Sequence, residues 1–186
     1  MKRLFDCFVS LCILFIFAIP MLVLAVCIKL TSTGPVLYWS NRVGKNNEIF
    51  KMPKFRTMHT GTPALATHLL DDPEKYVTWI GKILRKTSLD ELPQLLSILR
   101  GDMSLVGPRP ALFNQSDLIE LRTRKGIHRL TPGLTGWAQV NGRDELPIPV
   151  KVEFDEYYLL HRSFVFDLKI ILLTMLKVVQ REGVVH

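Results

Sequence analysis

Two adjacent carboxylates, Asp90 and Glu91, stand in the run Lys86-Thr87-Ser88-Leu89-Asp90-Glu91-Leu92-Pro93-Gln94-Leu95-Leu96. A carboxylate can attack phosphorus, hold a hard cation or exchange a proton. Ser88 followed three residues later by Glu91, ahead of Leu92, Leu95, Leu96 and Leu99, reads as a capping box that opens an amphipathic helix. In that register both acids lie in the first turn, where free backbone amides and the helix dipole keep a carboxylate ionised. Capping alone would account for them. Arg109 argues for more, because Pro108 and Pro110 hold its backbone extended and a rigidly held guanidinium is a good phosphate clamp.

The segment SLDELPQLLSILRGDMSLVGPRP, with KFRTM before it and PGLTGWAQVNGR after it, resembles the bacterial sugar transferases. These are monotopic phosphoglycosyl transferases, and the resemblance runs from Arg3 to about Val179. It implies transfer of a phospho-sugar from a nucleotide sugar, with uridine diphosphate donors favoured, to polyprenol (undecaprenyl) phosphate. UMP would be released, and the phospho-sugar would pass through a covalent intermediate on Asp90. The reaction would be a first membrane step of glycoconjugate biosynthesis. By the same resemblance Lys54 and Arg85 join Arg109 as phosphate-binding cations, and Gln139, Asn141 and Arg143 line the donor pocket. Magnesium is expected, since a diphosphate must approach an ionised carboxylate, with Asp90 and Glu91 as its protein ligands. Glu91 would bind that metal or take a proton from the incoming phosphate.

Composition narrows the partners. The chain of 186 residues carries 24 Lys and Arg against 17 Asp and Glu, a formal charge of +7 spread through loops. That pattern suits anionic lipid headgroups and phosphorylated substrates, and the interleaved aromatic and basic residues of a nucleic-acid groove are missing. Cys7, Cys12 and Cys27 all fall in the apolar N-terminal run, so no disulfide framework is expected. The five histidines show no metal-ligand spacing.

The catalytic residues need a platform, and the N-terminus supplies an anchor. Residues 7 to 28 contain no charge and are long enough to span a bilayer. Pro20 divides them into limbs of roughly 18 and 14 Å, each about half of a hydrocarbon core. Lys2 and Arg3 precede the run and Lys29, Arg42 and Lys45 follow it, so loop charge does not choose an orientation. The residues leave a spanning helix and a hairpin open. The resemblance implies the hairpin, broken at Pro20 with both ends cytoplasmic, although Ile19-Pro20 departs from the Ser-Pro common in the family.

Further along, Val36 to Trp39 reads as a strand, and Glu48 to Met58 alternates so that Phe50, Met52 and Phe55 face inward and Lys51, Lys54 and Arg56 outward. Thr60 to Pro73 reads as a loop over the site, Tyr76 to Lys86 and Asp117 to Lys125 as helices, and Asn141-Gly142 as a hairpin signal. Val152 to Leu160 and a helix capped by Ser163 would lie amphipathically at a membrane surface. The expected fold is thus α+β and mainly helical: a re-entrant membrane helix over residues 1–30, then a compact cytoplasmic catalytic domain over 31–186. Expected partners are nucleotide sugar, polyprenol phosphate and membrane lipids, with homo-oligomerisation open, at the bacterial inner membrane. The contrasting expectation is a lipid-binding scaffold on the membrane surface in which Asp90 and Glu91 only cap.

Overall fold

The computed structural model describes residues 1–63, 72–142 and 146–180. Most of the loop expected between Thr60 and Pro73 therefore falls outside the described residues. The fold is α+β and mainly helical, with two small two-stranded sheets.

Helices α1 (Lys2–Ile16) and α2 (Ala18–Thr31) are bent by 62°. Neither alone is long and apolar enough to cross a membrane. The break falls at Phe17, three residues before the Pro20 at which sequence reading placed it. Proline acts backwards: its ring excludes the carbonyl four residues earlier, that of Ile16, which is the last residue of α1. Pro20 itself sits in the first turn of α2, where its missing N–H costs nothing.

Helix α1 is amphipathic in an inverted sense. Lys2, Asp6 and Ser10, at four-residue spacing, form a polar stripe against the protein, while Leu4, Phe8, Leu11 and Phe15 are exposed. Lys2 and Asp6 are hydrogen-bonded, while Ser10 Oγ is buried without a partner among the described residues. Ser104 Oγ donates to Asp6 Oδ2 at 2.7 Å, and Lys2 Nζ donates to Asp167 Oδ2 at 2.5 Å and to the Val106 carbonyl at 3.1 Å. Arg3 donates to the carbonyls of Ile98 and Leu99, satisfying orphan acceptors where Gly101 (φ 102°) ends the helix Leu95–Arg100. From α2, Ile28 is fully buried with Phe55, Ile80 and Leu84, a burial worth about 2 kcal/mol for the isoleucine alone.

Strands β1 (Leu37–Val43) and β2 (Ile49–Phe55) pair antiparallel, Leu37 opposite Phe55. Met52 and Phe55 face inward as expected. Arg56 does not face out: it is 5% exposed and donates to backbone oxygens of Ser32 and Thr33, tying the end of α2 to the end of β2. The chain continues through α3 (Pro73–Tyr76), α4 (Trp79–Lys86), a 3₁₀ helix (Leu89–Gln94) and α5 (Leu95–Arg100) to β3 (Ser104–Val106). After α6 (Ser116–Arg124), β4 (Gly133–Thr135) pairs parallel to β3. Then come α7 (Trp137–Val140), α8 (Ile148–His161) and α9 (Phe164–Gln180).

Asn141-Gly142 closes no hairpin, for the described elements on either side of it are helices α7 and α8. Ser163 does cap α9, its Oγ accepting from Phe166 N at 3.1 Å. The main core gathers Leu95, Ile98, Met103, Val106, Ile127, Val152 and Ile170. Outside it, α9 exposes Val165, Leu168, Leu172 and Met175 on the same molecule that exposes the apolar faces of α1 and α2.

Candidate active site

The two acids do not sit as a capping box would place them. Ser88 adopts a left-handed backbone (φ 56°) and its side chain caps nothing, so the segment starts as a 3₁₀ helix. Pro93 lies inside that helix, where an absent N–H and a fixed φ suit the tighter turn better than an α-helical interior. The regular α-helix begins only at Leu95. Neither carboxylate accepts a capping hydrogen bond, although both lie in the first turn of the 3₁₀ helix.

The pair divides its roles. Glu91 Oε1 accepts from Lys54 Nζ at 3.2 Å and from Arg109 Nη2 at 2.8 Å. Asp90 is 8% exposed, and among the described residues no hydrogen bond reaches its carboxylate. Burial pushes the Asp90 pKa up to about 6, against the pull of Lys54, Arg85 and Arg109 and with the push of Glu91. Burial would raise Glu91 as well, but Arg109 and Lys54 outweigh it and hold that acid well below the usual carboxylate range.

Three segments bring the three cations in. Lys54 projects from β2 and Arg85 from the last turn of α4. Arg85 donates from Nε to Thr57 Oγ1 at 3.0 Å, and burial lowers its pKa. Thr78 caps α4 by accepting from Gly81 N at 3.0 Å, and Gly81 packs so closely on Thr57 that an added Cβ would lie 2.1 Å from its carbonyl oxygen. The end of β2 and the start of α4 are thereby locked together.

Arg109 hangs on a backbone frame built by glycines. Gly107 N donates to the Thr135 carbonyl and Gly133 N to that of Pro108, each at 2.9 Å. A Cβ on Gly133 would lie 2.1 Å from Gly107 N, and one on Gly136 2.1 Å from the Gly107 carbonyl. The glycine-rich run is therefore a packing device that lets β4 lie against the Arg109 loop. Arg122, missed in the sequence, adds a brace: its Nη1 donates to the Arg109 carbonyl at 2.8 Å, and Nη2 and Nε hold buried Asp155 at 2.6 and 2.9 Å. Its place one helix away, among the mixed charges of α6, gave no signal.

Sequence reading grouped Lys54, Arg85, Asp90, Glu91 and Arg109, and the structure brings these five together. It does not join Gln139 and Asn141 to them by any hydrogen bond among the described residues. Asn141 Nδ2 donates to the Trp137 carbonyl at 2.7 Å, closing its own helix. Gln139 is buried, with Oε1 unpartnered. Arg143 lies outside the described residues.

As a metal site the group is sparse: no cluster of three or more acidic, His or Cys ligands occurs among the described residues. The donor set still fits magnesium, an ion commonly held by one or two carboxylates together with substrate phosphates. Asp90 has unengaged oxygens and Glu91 has its second one.

Comparison with known proteins agrees with this geometry. The family model described as bacterial sugar transferase matches residues 1–181. The chain is 41% identical over 186 residues to the uncharacterized sugar transferase EpsL of Bacillus subtilis, covering 99% of this chain and 90% of that one. It is 38% identical to the UDP-glucose:undecaprenyl-phosphate glucose-1-phosphate transferase of Escherichia coli, covering 95% of this chain but 40% of the relative. It is also 38% identical to the UDP-N-acetylgalactosamine-undecaprenyl-phosphate N-acetylgalactosaminephosphotransferase of Aeromonas hydrophila, covering 94% and 42%. The chain thus spans nearly all of one relative and less than half of the other two. With the match running through both the N-terminal helix pair and the carboxylate cluster, the chain belongs to the bacterial sugar transferase family of enzymes.

Proposed function

We propose that the protein transfers a phospho-sugar from a UDP-sugar to undecaprenyl phosphate through an aspartyl intermediate. The observation that carries this is the contrast between neighbours: Glu91 is engaged by two cations, while Asp90 is buried, unbonded and within the field of three. Phosphoryl transfer asks for a positioned nucleophile and charge neutralisation more than for acid and base groups. An Asp90 carboxylate oxygen attacks the phosphorus that bears the sugar, and the bond from that phosphorus to the bridging oxygen breaks. UMP leaves with the electron pair, and the phospho-sugar remains as an acyl phosphate. A phosphate oxygen of undecaprenyl phosphate then attacks the same phosphorus, displaces the carboxylate and yields the polyprenyl diphosphate sugar.

Lys54, Arg85 and Arg109 neutralise the diphosphate as it approaches. Glu91, held strongly acidic, is a weak base, so it suits organising cations better than removing a proton. Magnesium, shared between these carboxylates and the donor, would supply further charge neutralisation. Gln139 and Arg143 are assigned to the donor pocket on family resemblance, and Gln139 offers an unpartnered amide oxygen for it. Asn141 carries the same assignment, with its amide already engaged. The inverted polarity of α1, with the apolar faces of α2 and α9, supports a hairpin dipping into one leaflet of the bacterial inner membrane, the catalytic part in the cytoplasm.

The test incubates purified protein with a panel of UDP-sugars labelled in the sugar. A labelled protein adduct should appear with wild type and fail with Asp90→Asn, UMP should be the nucleotide released, and chelation should stop turnover until magnesium is restored. Release of UDP, or full activity of Asp90→Asn, excludes the mechanism.

A further inference from the structure

Away from the carboxylate cluster, a cleft of about 520 Å³ opens between the start of α1, the junction of α8 with α9, and the 3₁₀ turn Ile127–Arg129. Neither acid nor any of the three cations of the candidate active site lines it. Four other cations do: Lys2, Lys45, Arg129 and Arg162. Lys2 is engaged by Asp167, the one carboxylate of the lining. The side chains of Lys45, Arg129 and Arg162 are exposed and make no hydrogen bond or ion pair among the described residues. Like charges converging on one concavity without counter-ions cost free energy unless an anion joins them.

The cleft is also apolar on one side. Phe5 and Phe164 meet there edge to face at 5.2 Å, and the surface runs on from Phe164 to exposed Val165 and Leu168 on α9 and from Phe5 to exposed Leu4 and Phe8 on α1. A soluble nucleotide or free phosphate would use the cations and leave that apolar margin idle. A molecule with an anionic head and acyl chains would use both.

We propose that this cleft binds the phosphate headgroup of an anionic glycerophospholipid, its chains lying along α1 and α9. The proposal rests on the membrane-hairpin reading above. Such a lipid would act as a resident clamp, holding α1 on the α8–α9 corner where Lys2, Tyr158 and Asp167 already join (Tyr158 O–H donates to Asp167 Oδ1 at 2.6 Å).

Native mass spectrometry of the full chain, extracted from vesicles of phosphatidylcholine with or without phosphatidylglycerol, tests it. Wild type should retain phosphatidylglycerol in preference to phosphatidylcholine. Arg129→Gln/Arg162→Gln should weaken that retention by about tenfold or more. Lys51→Gln/Lys125→Gln, which removes equal charge elsewhere, should retain the lipid, and excess inorganic phosphate should not displace it. Equal retention by the Arg129/Arg162 variant, equal loss in the control pair, or displacement by phosphate each overturns the site. Failure of wild type to enter phosphatidylcholine vesicles at all would overturn the hairpin reading instead, whereas entry without lipid preference overturns this proposal alone.

Discussion

Arg109 Nη2 stands 2.8 Å from Glu91 Oε1, so a loop residue 18 positions downstream neutralises the carboxylate that adjoins Asp90. Lys54, on β2, donates to the same oxygen. Two neighbours in sequence are thereby pushed to opposite ends of the carboxylate range, one by ion pairing and the other by burial. That separation leaves one acid committed to two cations and the other with its carboxylate oxygens unbonded.

Replacing Asp90 by Asn should abolish turnover, by about a thousandfold or more, and yet stabilise the protein at neutral pH. The folded pKa of about 6 lies above the ordinary 3.8, so the native state binds this proton more tightly than the unfolded chain does. Ionised Asp90 therefore costs stability above about pH 6, on the order of 3 kcal/mol, and the cost fades towards pH 4. Thermal unfolding in detergent should show the Asn variant melting several degrees higher at pH 7.5, with the gap closing at pH 4.5. A lower melting temperature at pH 7.5 would contradict the burial argument.

The same ionisation should govern rate. Only the carboxylate attacks phosphorus, so kcat/KM for the UDP-sugar should fall about tenfold per pH unit below about pH 6 and be flat just above it. A pH-rate profile of UMP release reads this directly; a limb centred near the ordinary 3.8 would show that burial does not raise the Asp90 pKa.

What the sequence disclosed and what it hid follow from the range of the interactions. Arg109 was legible from the prolines around it and Asp90 and Glu91 from their place ahead of an apolar run, whereas Lys54 and Arg85 were reached only through the family resemblance, because a solvated strand face and a helix end account for them locally. The capping box failed because Pro93 and a left-handed Ser88 favour a 3₁₀ start, a choice that pattern spacing does not register. The hairpin expected at Asn141-Gly142 failed because β4 pairs in parallel with distant β3, leaving no strand after α7 among the described residues to complete it. Asp6 and Ser10 were hidden for a different reason. Their stripe points towards protein, and a search for apolar residues in an apolar helix passes over the polar face that docks it.

Arg122 joins stability to placement. It is 8% exposed, holds fully buried Asp155 through two nitrogens and supports the Arg109 backbone with the third. Arg122→Ala leaves an uncompensated carboxylate and should cost about 3–5 kcal/mol in chemical unfolding. The double change Arg122→Met/Asp155→Leu should regain most of that stability, because it removes both charges together. Its kcat/KM should stay depressed, since the Arg109 carbonyl has still lost its donor. Full recovery of activity along with stability would make Arg122 a purely structural residue.

The N-terminal helix pair makes the last prediction. If α1 and α2 form a hairpin, Met1 and Ser32 lie on one side of the bilayer; if they form one bent span, they lie on opposite sides. The geometry favours the first, because Lys2 is bound to Asp167 and Ser32 to Arg56, residues that belong to one continuous catalytic fold. In a background with Cys7, Cys12 and Cys27 replaced by Ala, single cysteines at positions 1 and 32 should both react with a membrane-impermeant maleimide in inside-out vesicles. Neither should react in right-side-out ones. Pro20→Ala should leave this pattern intact while raising helix content at the Phe17 break, because the tertiary contacts at both ends, and not the proline alone, fix where the termini lie. Labelling of one position from each side would show a spanning helix and detach the apolar surface of α9 from the leaflet assigned to it.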